Sequence, residues 1–233
     1  DDGPVAMPRA KSHPQSLFLS RDESWLSFNR RVLEEAQDAS NPLLERVKFL
    51  AITASNLDEF FEIRIAGVLQ RMEDGYNEAA PDGFTLRDSL EAMKEETQRF
   101  VADQYRCWNE QLRPGLAEQR IRVLGLDEVE ADARGFLNEY RKRELDPLLT
   151  PVTVDPAHPF PRVINKALCL GLLLRRRRRA SGTYMGVVTV PRVLPRLIRL
   201  PARNGTDDYV FLADLVAAHA ALLAWRFLPA QPA

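Results

Sequence analysis

One short segment of the chain, SNLDE at residues 55–59, carries side chains whose types and spacing could do chemistry. Asp58 and Glu59 are adjacent carboxylates, and paired carboxylates can bind a divalent cation. The same acids suit the first turn of a helix, where the positive end of the helix dipole stabilises them, and Asn56 suits a helix cap. The sequence therefore favours a helix start over a metal site. It leaves open whether Asn56 has a second role.

A run of five arginines is the second candidate for chemistry. The run consists of Arg175, Arg176, Arg177, Arg178 and Arg179. Paired guanidinium groups can bind phosphate-rich anions, including nucleic acid. However, 32 Lys and Arg residues face 33 Asp and Glu residues, for a formal net charge of -1, so the chain has no overall basic field. We therefore expect no nucleic-acid partner and favour a solvated hairpin tip over an anion site.

The histidines and cysteines form no recognisable site in the sequence. His13 lies in a polar tail, His158 in an HPFP turn and His219 in a helix-like segment. Cys107 and Cys169 have no metal or redox spacing, so we expect reduced thiols in a cytoplasmic protein. The apolar run ALCLGLLL is too short to cross a bilayer, and the amino end lacks the apolar core of a signal peptide. We therefore predict no membrane span.

Helical periodicity dominates the first half of the chain. Residues 1–17 are predicted to be a disordered tail, and residues 18–115 a helical amino-terminal domain. Four amphipathic helices are expected, and they bury their apolar stripes most simply as an antiparallel bundle. Their predicted starts are the Ser20 and Glu23 capping box, Pro42, residues 55–59 and Thr85, and Pro114 and Gly115 are predicted to end the last one.

Apolar residues at helical spacing mark the predicted core of this bundle. On the third predicted helix they are Leu57, Phe61, Ile65, Val68, Leu69 and Met72. On the first they include Trp25, Phe28, Leu33 and Ala36. We interpret the aromatic residues among them, together with Phe60, as core before a base-stacking platform.

The second half reads as a mixed domain over residues 116–233. A strand is expected at residues 121–124 and a helix at residues 127–145. The alternating apolar residues of NKALCLGLLLRR predict a strand buried on both faces, joined by a hairpin to a second strand at residues 184–191. A final strand runs into a helix. The predicted fold class is therefore α+β, a helical bundle followed by a mixed α/β domain.

Several unusual sequence words occur in one order along the chain. They are SWLSFN at residues 24–29, SNPLLERVKFL at 40–50, SNLDEFFEIR at 55–64, HPFP at 158–161 and VPRVLPRLIRLP at 190–201. Together they resemble the amino-terminal signature and the second, head domain of bacterial class 1 polyphosphate kinases, which build inorganic polyphosphate from ATP. The resemblance extends from about Leu17 to about Leu223.

The resemblance implies an incomplete enzyme. In this family two further carboxy-terminal domains carry the histidine that becomes phosphorylated, the basic residues around the phosphates and the groups that bind magnesium. None of His13, His158 and His219 matches that histidine, and the last residues, ALLAWRFLPAQPA, depart from the family. We therefore expect a head domain truncated at its carboxy end. We also expect no catalytic residue, no bound Mg²⁺ and no polyphosphate synthesis by this chain alone.

The resemblance also gives Asn56 a role, because an asparagine of this segment binds nucleotide in the family and aligns with it. A carboxamide can donate and accept at once, which suits a purine edge. The implied function is contact with the base of ATP and homodimerisation through the head domain. The complete enzyme transfers the terminal phosphate of ATP to polyphosphate through a phosphohistidine, with Mg²⁺. The alternative is a non-catalytic interaction or anion-binding module that pairs with a complete enzyme.

Overall fold

In a computed structural model of the chain, the described residues are 20–76, 83–154, 160–175, 183–202 and 205–224. Several features of the sequence lie outside them: the predicted tail at residues 1–17 with His13, His158, Arg176, Arg177, Arg178, Arg179 and the last residues, 225–233. The chain divides into two compact units at the bond between Leu116 and Ala117.

The first unit is a bundle of three long helical segments. The first segment is α1 (Arg21–Gln37); the second comprises α2 (Leu43–Glu59), a π-helical stretch (Phe60–Ile65) and α3 (Ala66–Glu73); the third comprises α4 (Leu86–Arg106), a π-helical stretch (Cys107–Leu112) and α5 (Arg113–Glu118). Helix α1 packs on α2, while α3 packs on α4 and α2 on the second π-helical stretch. Successive segments therefore run antiparallel, and the predicted antiparallel bundle is confirmed.

Local sequence explains where these segments begin. The Ser20 hydroxyl accepts a hydrogen bond from the Glu23 amide before α1 (3.3 Å). Thr85 and Asp88 form a reciprocal capping box before α4, in which the Thr85 hydroxyl accepts from the Asp88 amide (3.2 Å). Pro42 directly precedes α2, where its missing amide leaves no hydrogen bond unmade. The starts predicted at these positions are confirmed.

The helix start predicted at residues 55–59 is wrong. Helix α2 continues through Asn56, and the π-helical stretch follows without a break, so the second and third predicted helices are one segment. Cap preferences are worth only about 1 kcal/mol, and Asn56 finds a side-chain partner inside the bundle instead. The predicted stop at Pro114 and Gly115 is also wrong. Both residues lie within α5, directly after a π-helical stretch whose wider turn already displaces the usual backbone hydrogen bonds.

Apolar side chains from all three segments form the core of the first unit. They are Leu26, Leu33, Ala36, Leu57, Phe60, Val68, Met93, Phe100, Cys107 and Leu112. Phe60 is 1% exposed, whereas Phe61, a predicted core residue, is 46% exposed. In the continuous segment the buried stripe runs from Leu57 to Phe60 three residues later, and Phe61, the next residue of the π-helical stretch, lies outside that stripe. Phe28 on α1 and Leu69 and Met72 on α3, which were also predicted core residues, are exposed as well.

The second unit combines helices with two small sheets. In chain order its elements are β1 (Ile121–Leu124), α6 (Ala131–Tyr140), a π-helical stretch (Arg141–Leu145), a 3-10 turn (Asp146–Leu148), β2 (Val152–Val154), β3 (Cys169–Arg175), β4 (Thr183–Thr189), β5 (Leu197–Arg199), β6 (Asp207–Phe211) and α7 (Leu212–Ala224). Among the described residues, one sheet has the order β1-β6-β5 and the other β2-β4-β3. Strand β1 is parallel to β6, and the other strand pairs are antiparallel. The mixed second half of the predicted fold class is confirmed.

The predicted hairpin is confirmed, but the predicted burial of its first strand is wrong. Strands β3 and β4 pair antiparallel, with Arg175 opposite Thr183. Leu170 and Leu172 pack on the core of the unit, whereas Leu173 on the other face is 82% exposed. An antiparallel sheet needs a core on one side only, so alternating apolar residues do not require burial of both faces.

The sequence also predicted reduced thiols and no membrane span. Cys107 is a buried free thiol and Cys169 a partly exposed one. Within the described ranges, no helix is at once long enough and apolar enough to cross a bilayer.

Candidate functional site

Asn56 lies in the interior of α2 and its side chain is half-buried against α1. Its Nδ2 atom donates a hydrogen bond to Oδ1 of Asn29 (3.0 Å). Among the described residues this is the single hydrogen bond of the Asn56 side chain. The carbonyl oxygen and the second N–H of the Asn56 amide are therefore available to a ligand.

Asn56 is the outer member of a chain of polar side chains that we call the amide network (Asn29, Thr53, Asn56 and Gln104). Asn29 is 0% exposed, and its Nδ2 donates to the backbone carbonyl of Thr53 (3.1 Å). The Thr53 hydroxyl donates to the carbonyl of Leu50 (2.7 Å) and accepts from Nε2 of Gln104 (2.8 Å). The network joins all three helical segments, and its hydrogen bonds satisfy polar groups that would be costly to bury alone.

Aromatic residues at the start of α1 pack against the helix that carries Asn56. The rings of Trp25 and Phe60 stack with centroids 4.9 Å apart and an interplanar angle of 23°. The guanidinium of Arg64 lies 6.0 Å from the Trp25 ring centroid and pairs with Asp22 (2.8 Å). Trp25 and Phe60 are therefore engaged in packing. Phe28 and Phe61, by contrast, are about half exposed.

The cation next to Asn29 in sequence is held by two carboxylates. Arg30 contacts Glu96 (2.8 Å) and Asp103 (2.8 Å) on α4, and its guanidinium lies 5.4 Å from the centroid of Phe100. Burial alone would lower the pKa of Arg30, but the hydrogen bonds and charges of Asp103 and Glu96 outweigh it and raise the pKa. Arg30 therefore braces α1 against α4, and its charge is compensated within the bundle.

Asp58 and Glu59, the paired carboxylates of the sequence, are exposed on α2 and do not lie in a first helical turn. Within the described ranges, no three His, Cys, Asp or Glu side chains converge as metal ligands. The carboxylates, imidazoles and thiols of the described residues therefore do not form a site that fits Mg²⁺.

The remaining sequence candidates belong to the second unit. Arg175 is the last residue of β3, and the other four arginines lie outside the described residues. His219 lies in α7, where burial and the positive charge of Arg141 lower its pKa against the opposing effect of Asp146. Its Nδ1 is buried without a hydrogen-bond partner in the part of the chain that the structure describes. Arg175 and His219 therefore belong to a different compact unit from Asn56.

The second unit also contains a cavity of about 410 Å³ that the sequence did not indicate. Its charged lining residues are Arg122, Glu128, Glu130, Asp132 and Asp208. Arg122 on β1 binds Asp208 on β6 through two contacts, Nε to Oδ1 (2.7 Å) and Nη2 to Oδ2 (2.5 Å). The hydrogen bond from Arg122 lowers the pKa of Asp208. Glu128, Glu130 and Asp132 lie near the start of the helix predicted at residues 127–145, where acids match the helix dipole, and that local role gives no signal of a shared cavity.

The cavity is lined by charged side chains, whereas the Asn56 site offers an uncharged amide. The Asn56 site presents one oriented amide, one helical turn after the exposed Ile52. Such a site can hold the edge of a planar heterocycle through a donor and an acceptor. Asn29, which completes it, was given no role in the sequence analysis; its two signals were its place in the word SWLSFN and its position as a polar residue on the buried stripe of Leu26, Leu33 and Ala36.

Two family models match the chain. Residues 18–124 match the polyphosphate kinase N-terminal domain, and residues 132–224 match the polyphosphate kinase middle domain. The polyphosphate kinase of Xylella fastidiosa strain 9a5c is 42% identical over 206 residues, which cover 87% of this chain and 29% of that protein. The polyphosphate kinase of Pseudomonas aeruginosa is 42% identical over 210 residues, covering 88% of this chain and 30% of that protein.

A solved structure agrees with these sequence matches. The crystal structure of polyphosphate kinase from Porphyromonas gingivalis superposes with a TM-score of 0.72 at 30% sequence identity, covering 87% of this chain and 30% of that chain. The chain thus spans about 30% of the length of these relatives. The first matched region covers the helical bundle and β1 of the second unit, and the second region covers the rest of the second unit from residue 132 to residue 224. The chain therefore belongs to the polyphosphate kinase family, of which it carries the amino-terminal and middle domains.

Proposed function

We propose that this chain supplies the base-binding part of an enzyme that transfers the terminal phosphate of ATP to polyphosphate. The supporting observation is the half-buried amide of Asn56, which spends one N–H on Asn29 and leaves its carbonyl oxygen and second N–H unused. Ile52 lies one helical turn before Asn56 and is exposed, so it offers an apolar surface beside that amide. An unused donor and acceptor next to an apolar side chain match the edge and face of a purine.

The chemistry of phosphoryl transfer assigns the other parts of the reaction to groups outside this chain. The transfer needs a nucleophile, here a histidine, and cations or Mg²⁺ to spread charge over the phosphoryl oxygens. Arg30, next to Asn29 in sequence, and Arg64, on the same helical segment as Asn56, are both paired with carboxylates. In this proposal the bundle binds and orients the nucleoside, and the phosphates extend toward the catalytic groups of the complete enzyme.

Homodimerisation through the second unit belongs to the same proposal. Leu173 and Met185 are cross-strand neighbours on the outer face of the sheet β2-β4-β3, and they are 82% and 41% exposed. Exposed apolar neighbours of this kind are common at protein interfaces. The two free thiols fit a reducing compartment, so we place the protein in the cytoplasm.

The test of this function uses the full-length translation product of the gene and γ-labelled ATP. We expect label in acid-insoluble polymer from that product and none from residues 1–233 alone. Polymer formation by residues 1–233 alone would contradict the assignment of the catalytic groups elsewhere. A full-length product that binds ATP without making polymer would favour the non-catalytic module.

Asn56→Ala tests the base contact directly. A bidentate amide contact to a base is worth about 1–3 kcal/mol, so KM for ATP should rise about tenfold while kcat changes little. The matched control is Asn41→Ala, because Asn41 donates its amide to the Glu35 carbonyl (2.9 Å) at the surface, outside the amide network. An equal KM for the two variants would remove Asn56 from the nucleotide site.

A further inference from the structure

We propose that Asn29 is a positioning residue that fixes the orientation of the Asn56 amide and thereby makes the site select adenine over guanine. The inference rests on the proposed nucleotide contact of Asn56. To that contact it adds a positioning residue, Asn29, that touches no ligand, and a physical basis for preferring adenine over guanine.

The orientation of Asn29 follows from the chemistry of its partner. The atom of Asn29 that lies 3.1 Å from the Thr53 backbone carbonyl must be a donor, because a carbonyl can only accept. Nδ2 of Asn29 therefore faces Thr53. Its Oδ1 necessarily points the other way, toward Asn56.

The same reasoning then orients Asn56. Oδ1 of Asn29 can only accept, and it lies 3.0 Å from the Asn56 side chain, so the atom of Asn56 that faces it is Nδ2. A flipped Asn56 would place two carbonyl oxygens against each other. The Asn56 carbonyl oxygen is thus kept on the side away from Asn29, beside the remaining N–H.

Burial prevents water from relaxing this constraint. Asn29 is 0% exposed and lies on α1 between the buried residues Leu26 and Leu33. Thr53 is 0% exposed, and its carbonyl is fixed by the backbone of the same helix that carries Asn56. An unpaired acceptor in such a place keeps its full desolvation cost, which favours a single amide orientation.

A fixed amide distinguishes the two purines at their Watson–Crick edge, which carries N1 and the group on C6. Adenine presents there an N6 amino donor and the N1 acceptor, which match the carbonyl and the N–H of Asn56. Guanine presents the O6 acceptor and the N1–H donor, so its O6 meets the Asn56 carbonyl and its N1–H meets the Asn56 N–H. Guanine would be accommodated only if the Asn56 amide could flip, and Asn29 blocks that flip.

The experiment compares ATP and GTP as competing ligands of the full-length translation product. Asn29→Leu releases the Asn56 amide, so ATP should bind more weakly while GTP binds as well as before or better. We expect the ATP-to-GTP preference to narrow about tenfold. A general loss of structure would weaken both nucleotides together and leave their ratio unchanged.

Two further variants separate orientation from stability. Gln104→Leu removes the hydrogen bond to the Thr53 hydroxyl in the same network but leaves the Asn29 and Asn56 amides paired, so the preference should persist. Asn29→Asp should retain the preference as well. A protonated carboxyl at that position donates to the Thr53 carbonyl and accepts from Asn56, as the amide does. The proposal is overturned if Asn29→Leu leaves the preference intact, or if Gln104→Leu narrows it equally.

A measurement on the nucleotide-free protein distinguishes this inference from the proposed function. Hydrogen exchange of the Asn56 side-chain amide, followed by NMR, should be slow in the wild type and fast in Asn29→Leu. Equal exchange in both proteins would overturn the orientation claim whatever the nucleotide data show. Slow exchange combined with an unchanged KM in Asn56→Ala would instead leave the orientation in place and refute the nucleotide contact.

Discussion

The register of the central helix can be tested with two adjacent phenylalanines. The sequence pattern predicts that Phe61 is buried, whereas in the structure Phe60 is 1% exposed and Phe61 46% exposed. Phe60 stacks on Trp25, and Phe61 touches Phe60 edge-on, with ring centroids 6.3 Å apart. Substitution of each residue therefore measures which of the two the bundle core contains.

The expected magnitudes differ severalfold. Truncation of a buried phenylalanine to alanine costs about 3–5 kcal/mol, and the Trp25 stack contributes about 0.5–1.5 kcal/mol to the wild type. Because small domains are stable by only about 5–15 kcal/mol, Phe60→Ala comes close to unfolding the bundle. Phe60→Leu is milder, at about 1–2 kcal/mol from the loss of buried carbon atoms. Phe61→Leu at the half-exposed position should stay within about 0.5 kcal/mol.

Urea unfolding followed by circular dichroism at 222 nm provides the measurement, because the first unit is almost entirely helical. Phe60→Leu should lower the midpoint with an unchanged m-value, and Phe61→Leu should overlay the wild type. If Phe61→Leu is the more damaging of the two, the helix does not run continuously through residues 43–73. The packing described for the Asn56 site would then be refuted as well.

Two further predictions concern the second unit and pH. The hydrogen bond from Arg122 holds the pKa of Asp208 below its ordinary value, so this pair stabilises the fold above that value and the stabilisation is lost as the pH falls through the folded-state pKa. Asp208→Asn should therefore lower the free energy of unfolding at pH 7. In urea titrations at acid pH, that free energy should fall less steeply with decreasing pH than in the wild type; an unchanged pH dependence would contradict the pairing. Burial and Arg141 lower the pKa of His219, so the unfolded chain binds the proton more readily and stability should fall as the pH drops from 7.5 to 5.5. His219→Asn should remove that slope, and persistence of the slope would assign it to another group.

The sequence predicted helix starts well where the signal is entirely local. Ser20 and Thr85 each accept a hydrogen bond from the amide three residues later, and both helices begin there. The segment at residues 55–59 carries similar cap residues, yet the helix continues through it. The difference is tertiary, because the partner of Asn56 lies 27 residues away on another helix. No local preference encodes that contact.

The candidate site likewise combines a residue that local sequence identifies with one that only a tertiary contact reveals. Asn56 could be selected from the sequence because the family resemblance gives its segment a nucleotide-binding asparagine, but its orientation depends on Asn29, the last residue of the family-like word SWLSFN, to which the resemblance gave no role. The exposed face of β3 illustrates the converse problem. Alternating apolar residues predicted burial, but Leu173 is exposed since only one face of its sheet meets the core of the unit. Periodicity locates the faces of a strand without showing what covers them.

The parallel pairing of β1 with β6 has a consequence for synthesis on the ribosome. Arg122 and Asp208, which join these strands, are 86 residues apart. At about 5–20 residues per second, β1 waits about 4–17 s for its partner strand to be translated. During that interval β1 presents an unpaired edge, which can associate with other nascent chains. The second unit should therefore depend on chaperones in the cell more than the helical bundle, whose segments pair with their neighbours in sequence.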